Sequence, residues 1–93
     1  MNSNENWVLQ IDPPVYKFLK KIPRHDADRV FLIINNLIFN PYVGDIEKMD
    51  GEINSWRKRT GAYRIFYEIT QQRRLIHVYD VERRGSKTYS KKR

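Results

Sequence analysis

Apolar residues along this chain keep a helical spacing from residue 15 to residue 38 and a strand-like one after residue 55, and that single change of period constrains the fold most. Val15, Phe18, Leu19 and Ile22 stand at offsets 0, 3, 4 and 7, one stripe of a short helix. Ahead of them Asp12 suits an N-cap, and Pro13 and Pro14 suit a first turn that needs no backbone N–H. Pro23 interrupts the pattern. Ala27, Val30, Phe31, Ile34, Leu37 and Ile38 then repeat it. Asp26 and Asp28 lie near the start, where carboxylates meet the positive end of the helix dipole, and Asn40-Pro41 supplies the stop. Both stripes read as core faces rather than binding grooves.

Trp7, Val8, Leu9, Gln10 and Ile11 read as a short strand before the helices. Residues 41–54 read as a connection, with turn chemistry at Asp50-Gly51. Residues 56–59, 63–69 and 75–81 are rich in aromatic and β-branched side chains. Thr60-Gly61 and the polar run 71–74 separate them, which gives three strands joined by two hairpins. The expected fold is α+β: an N-terminal strand, then two helices packed on one face of a mainly antiparallel sheet that ends in a three-strand meander. Residues 1–93 make one domain, with no repeat and no second unit. A chain this short buries roughly 60% of its unfolded surface, so its stability margin is narrow.

Composition removes several function classes. Hydrophobic content of 40%, with 13% aromatic, argues against disorder. The absence of cysteine excludes disulfides, thiolate chemistry and a zinc-finger pattern. The longest apolar run, residues 30–34, is too short for a membrane span, and residues 2–5 do not resemble a signal peptide. The expected location is cytoplasmic, with no membrane partner. Asp45, Glu47, Asp50 and Glu52 lack a partner histidine and a metal-ligand spacing, so they read as loop solvation and no metal is expected.

Charge is unevenly placed. Residues 1–54 hold six Lys/Arg and eight Asp/Glu, whereas residues 55–93 hold twelve and three, which locates the whole net charge of +7 in the second part. Scattered lysines would serve solubility alone. Here arginines alternate with aromatics, a composition suited to polyphosphate. Strand alternation sets Arg57 and Arg59 on one face, with Trp56 and Lys58 on the other. Arg64 follows on the next strand, and Arg83 and Arg84 end the last. Several crowded guanidinium groups repel one another unless an anion is the guest. Ion pairs with Glu68, Asp80 and Glu82 are expected to neutralise only some of them.

The segment Trp56-Arg57-Lys58-Arg59-Thr60-Gly61-Ala62-Tyr63-Arg64-Ile65-Phe66-Tyr67 resembles the central motif of the RelE/ParE superfamily of bacterial toxins. That motif runs aromatic, Arg, x, Arg, x, Gly, x, Tyr, Arg, two apolar residues, Tyr. The resemblance extends to the first strand, the helix pair, Asn40-Pro41, Met49-Asp50-Gly51 and the final Arg83 and Tyr89. RelE-like toxins are ribosome-dependent endonucleases that cut mRNA in the ribosomal A site, and a cognate antitoxin neutralises them. The resemblance therefore implies an antitoxin, the ribosome with its 16S rRNA, and mRNA as partners, and no cofactor. The ParE branch shares the fold but poisons DNA gyrase, and a nucleic-acid-binding domain without catalysis is the third reading. Arg64 falls on the arginine that holds the scissile phosphate. Arg83 and Tyr89, six residues apart, fall on an arginine and tyrosine of the ribonuclease branch, which favours RNA cleavage.

Metal-free cleavage uses the neighbouring 2′-hydroxyl as nucleophile, so the protein must remove its proton, stabilise the phosphorane and assist the leaving 5′-oxygen. Always-charged, planar guanidinium groups suit the second task, here Arg57, Arg59 and Arg64, with Arg83 also near the leaving oxygen. Tyr89 can stack on a base or move a proton, though a phenol with a pKa near ~10 needs nearby cations to act as a base. Some relatives carry two lysines where this chain has Ser55 and Arg57, and an arginine is a poor base. Another branch uses a glutamate whose place Glu47 takes here, alongside the reading of Glu47 as a solvated carboxylate. His25 and His77 read as structural. Lys58, Arg84 and Lys87 complete the expected RNA contacts, and Lys91, Lys92 and Arg93 suit ribosomal RNA.

Overall fold

The computed structural model describes residues 7–51 and 54–84. Strand β1 (Val8–Ile11) leads into helix α1 (Pro13–Leu19). Both prolines occupy the first turn of α1, where their missing N–H groups cost nothing. Asp12 holds the N-cap position but makes no side-chain cap bond, because its carboxylate is engaged elsewhere. Pro23, in an extended conformation, precedes helix α2 (Arg24–Asn36). That helix stops short of Asn40-Pro41. Its last turn tightens into i→i−3 bonds, Leu37 N–H to the Ile34 carbonyl and Phe39 N–H to the Asn36 carbonyl, and these end the helical path.

The segment expected to be a connection holds a further strand. β2 (Ile46–Lys48) pairs antiparallel with β3 (Ser55–Thr60), with Glu47 opposite Arg57. Three residues are too few to show a period in the sequence. β4 (Tyr63–Thr70) and β5 (Leu75–Arg83) complete a five-stranded sheet in the order β1-β5-β4-β3-β2. Only β1 runs parallel to its neighbour, β5. Gly61, at φ +58°, makes the two-residue β3–β4 connection possible. A 3₁₀ turn (Gln71–Arg73) and a left-handed Arg74 join β4 to β5.

The core lies between the helices and one face of this sheet. It joins Val15, Val30, Ile34 and Leu37 to Tyr63, Ile65, Tyr67, Ile69, Ile76, Val78 and Val81. Tyr67 is fully buried, and its hydroxyl donates to the Pro41 carbonyl at 2.9 Å, which offsets the cost of burying a phenol. Val78 and Val81 both reach the core although they stand three positions apart, an odd offset that regular alternation would send to opposite faces. A β-bulge allows this: Phe66 stands opposite Asp80 and Tyr67 opposite Val78, leaving Tyr79 as an extra residue on β5. Beyond the bulge the facing of every β5 side chain is reversed relative to simple alternation. No helix among the described residues is long and apolar enough to cross a membrane.

Candidate functional site

The face of the sheet turned away from the helices gathers Arg57, Arg59 and Arg64. Cross-strand register places Arg59 beside Arg64, and Arg57 beside Phe66. Alternation predicts this grouping, and it holds. Each guanidinium, however, already has a carboxylate. Arg57 pairs with Glu47 from β2, Arg59 reaches both oxygens of Asp45 at 3.2 Å, and Arg64 pairs with Glu82 from β5 at 3.1 Å. Three positive groups thus meet three negative ones. Asp45 and Glu47 are counter-ions rather than solvated loop acids, and the expected excess of arginine over carboxylate is absent from this cluster.

These pairs set the local electrostatics. The Arg57 hydrogen bond and charge hold Glu47 below the ordinary carboxylate range. A general base works best with a pKa near the operating pH, so this environment pushes Glu47 the wrong way in the free protein. Asp45 similarly raises Arg59. One carboxylate does not exhaust the five donors of a guanidinium, and an incoming phosphate can share or displace it.

Arg83 lies elsewhere. Its guanidinium sits 5.5 Å from the centre of the Tyr63 ring and donates to the Tyr63 hydroxyl at 3.2 Å. Tyr63 packs edge-on against Phe18 and donates to Asp26 of α2 at 2.8 Å, so Arg83 stands on the helix side. The expectation that three strands deliver Arg83 to the same neighbourhood as Arg64 is corrected here, and the bulge at Tyr79 is the cause. Had all nine residues of β5 alternated regularly from Ile76 and Val78, Arg83 would share the open face and Glu82 would leave it. Burial, then the Asp26 carboxylate, raises the Tyr63 phenol.

Two more expected contacts are also separated from the cluster. Lys58 faces the helix side, donates to the Val43 carbonyl at 3.0 Å, and is lowered by desolvation. Arg84 donates to the Gly61 carbonyl at 2.8 Å at the tip of the β3–β4 hairpin. Tyr89, Lys87, Lys91, Lys92 and Arg93 lie outside the described residues.

One chemistry-bearing group on the open face was read from the sequence as structural only. His77 holds Asp12 through Nε2 at 2.8 Å and Glu68 through Nδ1 at 3.4 Å. Desolvation lowers its pKa, but both carboxylates raise it by more, and the net shift is upward. Its ring packs against Tyr79, which in turn packs against Phe66. Asp12 and His77 are 65 positions apart, and the parallel β1–β5 pairing that joins them leaves no local signal. No cluster of three or more potential metal ligands occurs among the described residues.

The chain has counterparts among known proteins. The family model for the ParE toxin of type II toxin–antitoxin systems matches residues 9–87. No curated protein matches at the sequence level. The archaeal RelE–RelB complex from Pyrococcus horikoshii is 24% identical, covers 86% of this chain and 97% of its own, and has a TM-score of 0.75. The RelB–RelE complex from Methanococcus jannaschii is 26% identical over 90% of this chain and 98% of its own, with a TM-score of 0.68. The isolated RelE toxin of E. coli is 17% identical over 90% and 92%, with a TM-score of 0.70. The expected RelE-like fold is therefore the observed one. Since the family model spans most of the sequence, the chain belongs to the ParE toxin family of type II toxin–antitoxin systems, within the RelE/ParE superfamily.

Proposed function

We propose that this toxin is a metal-independent endoribonuclease that cuts mRNA in the ribosomal A site and is held inactive by a cognate antitoxin. The observation that carries the reading is the convergence of Arg57, Arg59 and Arg64 on one open sheet face. The spacing of Arg83 and Tyr89 supports the ribonuclease branch. In the reaction the 2′-hydroxyl loses its proton and attacks phosphorus. The bond from phosphorus to the 5′-oxygen breaks, leaving a 2′,3′-cyclic phosphate, and a proton passes to the departing 5′-oxygen. Arg64, drawn off Glu82, holds the scissile phosphate; Arg57 and Arg59 offset charge on the phosphorane. Arg83 serves from the helix side of β5 by binding the backbone next to the cut, and Tyr89 stacks on a base or carries a proton. Glu47 becomes the candidate base once RNA separates it from Arg57.

A second reading has one observation in its favour. The matching family model is that of ParE toxins, whose branch poisons DNA gyrase. Induced expression separates the two: loss of translation with cut mRNA supports the nuclease, whereas a DNA-damage response with intact mRNA supports the gyrase poison. Solved relatives that are toxin–antitoxin complexes support a protein partner here too. A partner rich in carboxylates would cover the basic end of this chain.

A further inference from the structure

A cleft of about 580 Å³ opens at the far end of the sheet, where β4 turns toward β5, on the face opposite the arginines. Tyr42, Trp56 and Ile69 form its apolar walls, and Lys48, Asn54, Gln71 and Gln72 its polar rim. The rings of Tyr42 and Trp56 meet at 83° with centroids 5.8 Å apart. That makes a corner, in which one ring offers a face for stacking and the other closes an edge. Gln71 Nε2 donates to the Tyr42 hydroxyl at 2.9 Å, which fixes the amide at the corner.

The chemistry of this lining selects its guest. An aliphatic side chain would leave the amides and the ammonium facing apolar surface, at the cost of their hydrogen bonds. With one lysine and no carboxylate among the described residues that line it, the rim disfavours a cation. Flat aromatic surface beside paired amide donors and acceptors suits an unpaired nucleobase, read on its edge and stacked on its face, with an ammonium for the attached phosphate. Lys48 also borders a smaller cleft of about 250 Å³ at the edge strand, shared with Glu47, Met49, Asp50 and Arg57. The aromatic corner and the arginine face are thus joined around β2.

We propose that the Tyr42–Trp56 cleft binds one unpaired base of the RNA whose backbone lies on the arginine face, and that it sets a base preference near the cut. The idea rests on the RNA-cutting reading above, but its binding test does not. The full-length chain is titrated with the four nucleoside 5′-monophosphates and with ribose 5-phosphate, following the Trp56 indole N–H and the Asn54, Gln71 and Gln72 side-chain amide resonances. Saturable shifts that differ among the bases and are absent with ribose 5-phosphate are expected. Tyr42→Ala, which removes one stacking wall, should weaken binding about tenfold. Gln72→Ala, at an exposed rim position, should alter the base preference without unfolding the chain. Arg64→Ala should leave the cleft shifts in place.

Shifts that are the same for all five ligands and confined to Arg57, Arg59 and Arg64 would mean phosphate binding alone and overturn the proposal. A Trp56 indole that stays still at millimolar nucleotide, in a protein that cuts mRNA, overturns it as well. Base-specific shifts in a protein that cuts no mRNA keep the cleft as a nucleotide site and remove the nuclease reading instead.

Discussion

Arg64 and Glu82 hold, in the free protein, the kind of contact that a phosphate would replace: a guanidinium donating to an anionic oxygen at 3.1 Å. The pair is partly exposed, so breaking it should cost little stability, about 0–1 kcal/mol. Its loss should matter far more to the reaction, since removing one donor aimed at developing charge costs roughly 10²–10³ in rate. Arg64→Ala is therefore expected to melt near the wild type and to lose growth arrest. Comparing a thermal melt with plating after induction checks both parts. His77 gives a prediction of the opposite kind, about stability rather than activity. Its pKa is raised in the fold, so its contribution is complete below the unfolded value of about 6.5 and fades as pH climbs through the folded value. His77→Gln should destabilise the protein at pH 6 and much less at pH 8.5, as read from denaturant midpoints at the two pH values. An equal loss at both would show that packing, not charge, ties His77 to Asp12 and Glu68.

The elements of the fold were mostly legible because their periods are long enough to see. The two helical stripes and the three aromatic strands each repeat several times, and all five elements form close to the expected places. β2 was not legible, since three residues establish no alternation, and with it went Glu47 as the partner of Arg57 and, just ahead of the strand, Asp45 as that of Arg59. The bulge was hidden for a related reason. Tyr79 is an ordinary strand residue whose extra position emerges only when β4 is laid against β5, and it alone sends Arg83 to the helix side. The site was therefore legible as far as β3 and β4 and misread on β5. Two deletions test this account of the bulge. Removing Tyr79 should leave Val78 and Val81 facing the core on a regular strand, and the chain should still fold. Removing Phe66 would set Ile65 and Tyr67 side by side on β4 and turn one of them out of the core. That variant should fail to fold, as circular dichroism and a melting curve would show. If both deletions unfold alike, the bulge does not explain the facing of β5.

Across the whole molecule, the net charge of +7 now has a different distribution from the one the strand pattern suggested. The three open-face arginines are balanced by Asp45, Glu47 and Glu82, so the surplus rests on the other Lys and Arg of the chain, four of which fall in the last nine residues. Long-range attraction to RNA should come from that surplus, and the sheet face should supply local grip on one phosphate. Binding to single-stranded RNA should weaken steeply with salt, with a log–log slope of about −0.7 per phosphate contact. Arg64→Ala should change that slope by less than one contact's worth if Glu82 already neutralises it, whereas neutralising Lys91, Lys92 and Arg93 together should flatten it by about two units. Filter binding over a salt series measures both. The central claim is that this protein cuts mRNA on the ribosome. Primer extension on mRNA after induction of the wild type and of Arg64→Ala, with translating ribosomes present and absent, tests it directly. New 5′ ends that need both the wild-type arginine and translating ribosomes are predicted; intact mRNA in a growth-arrested culture would contradict the account.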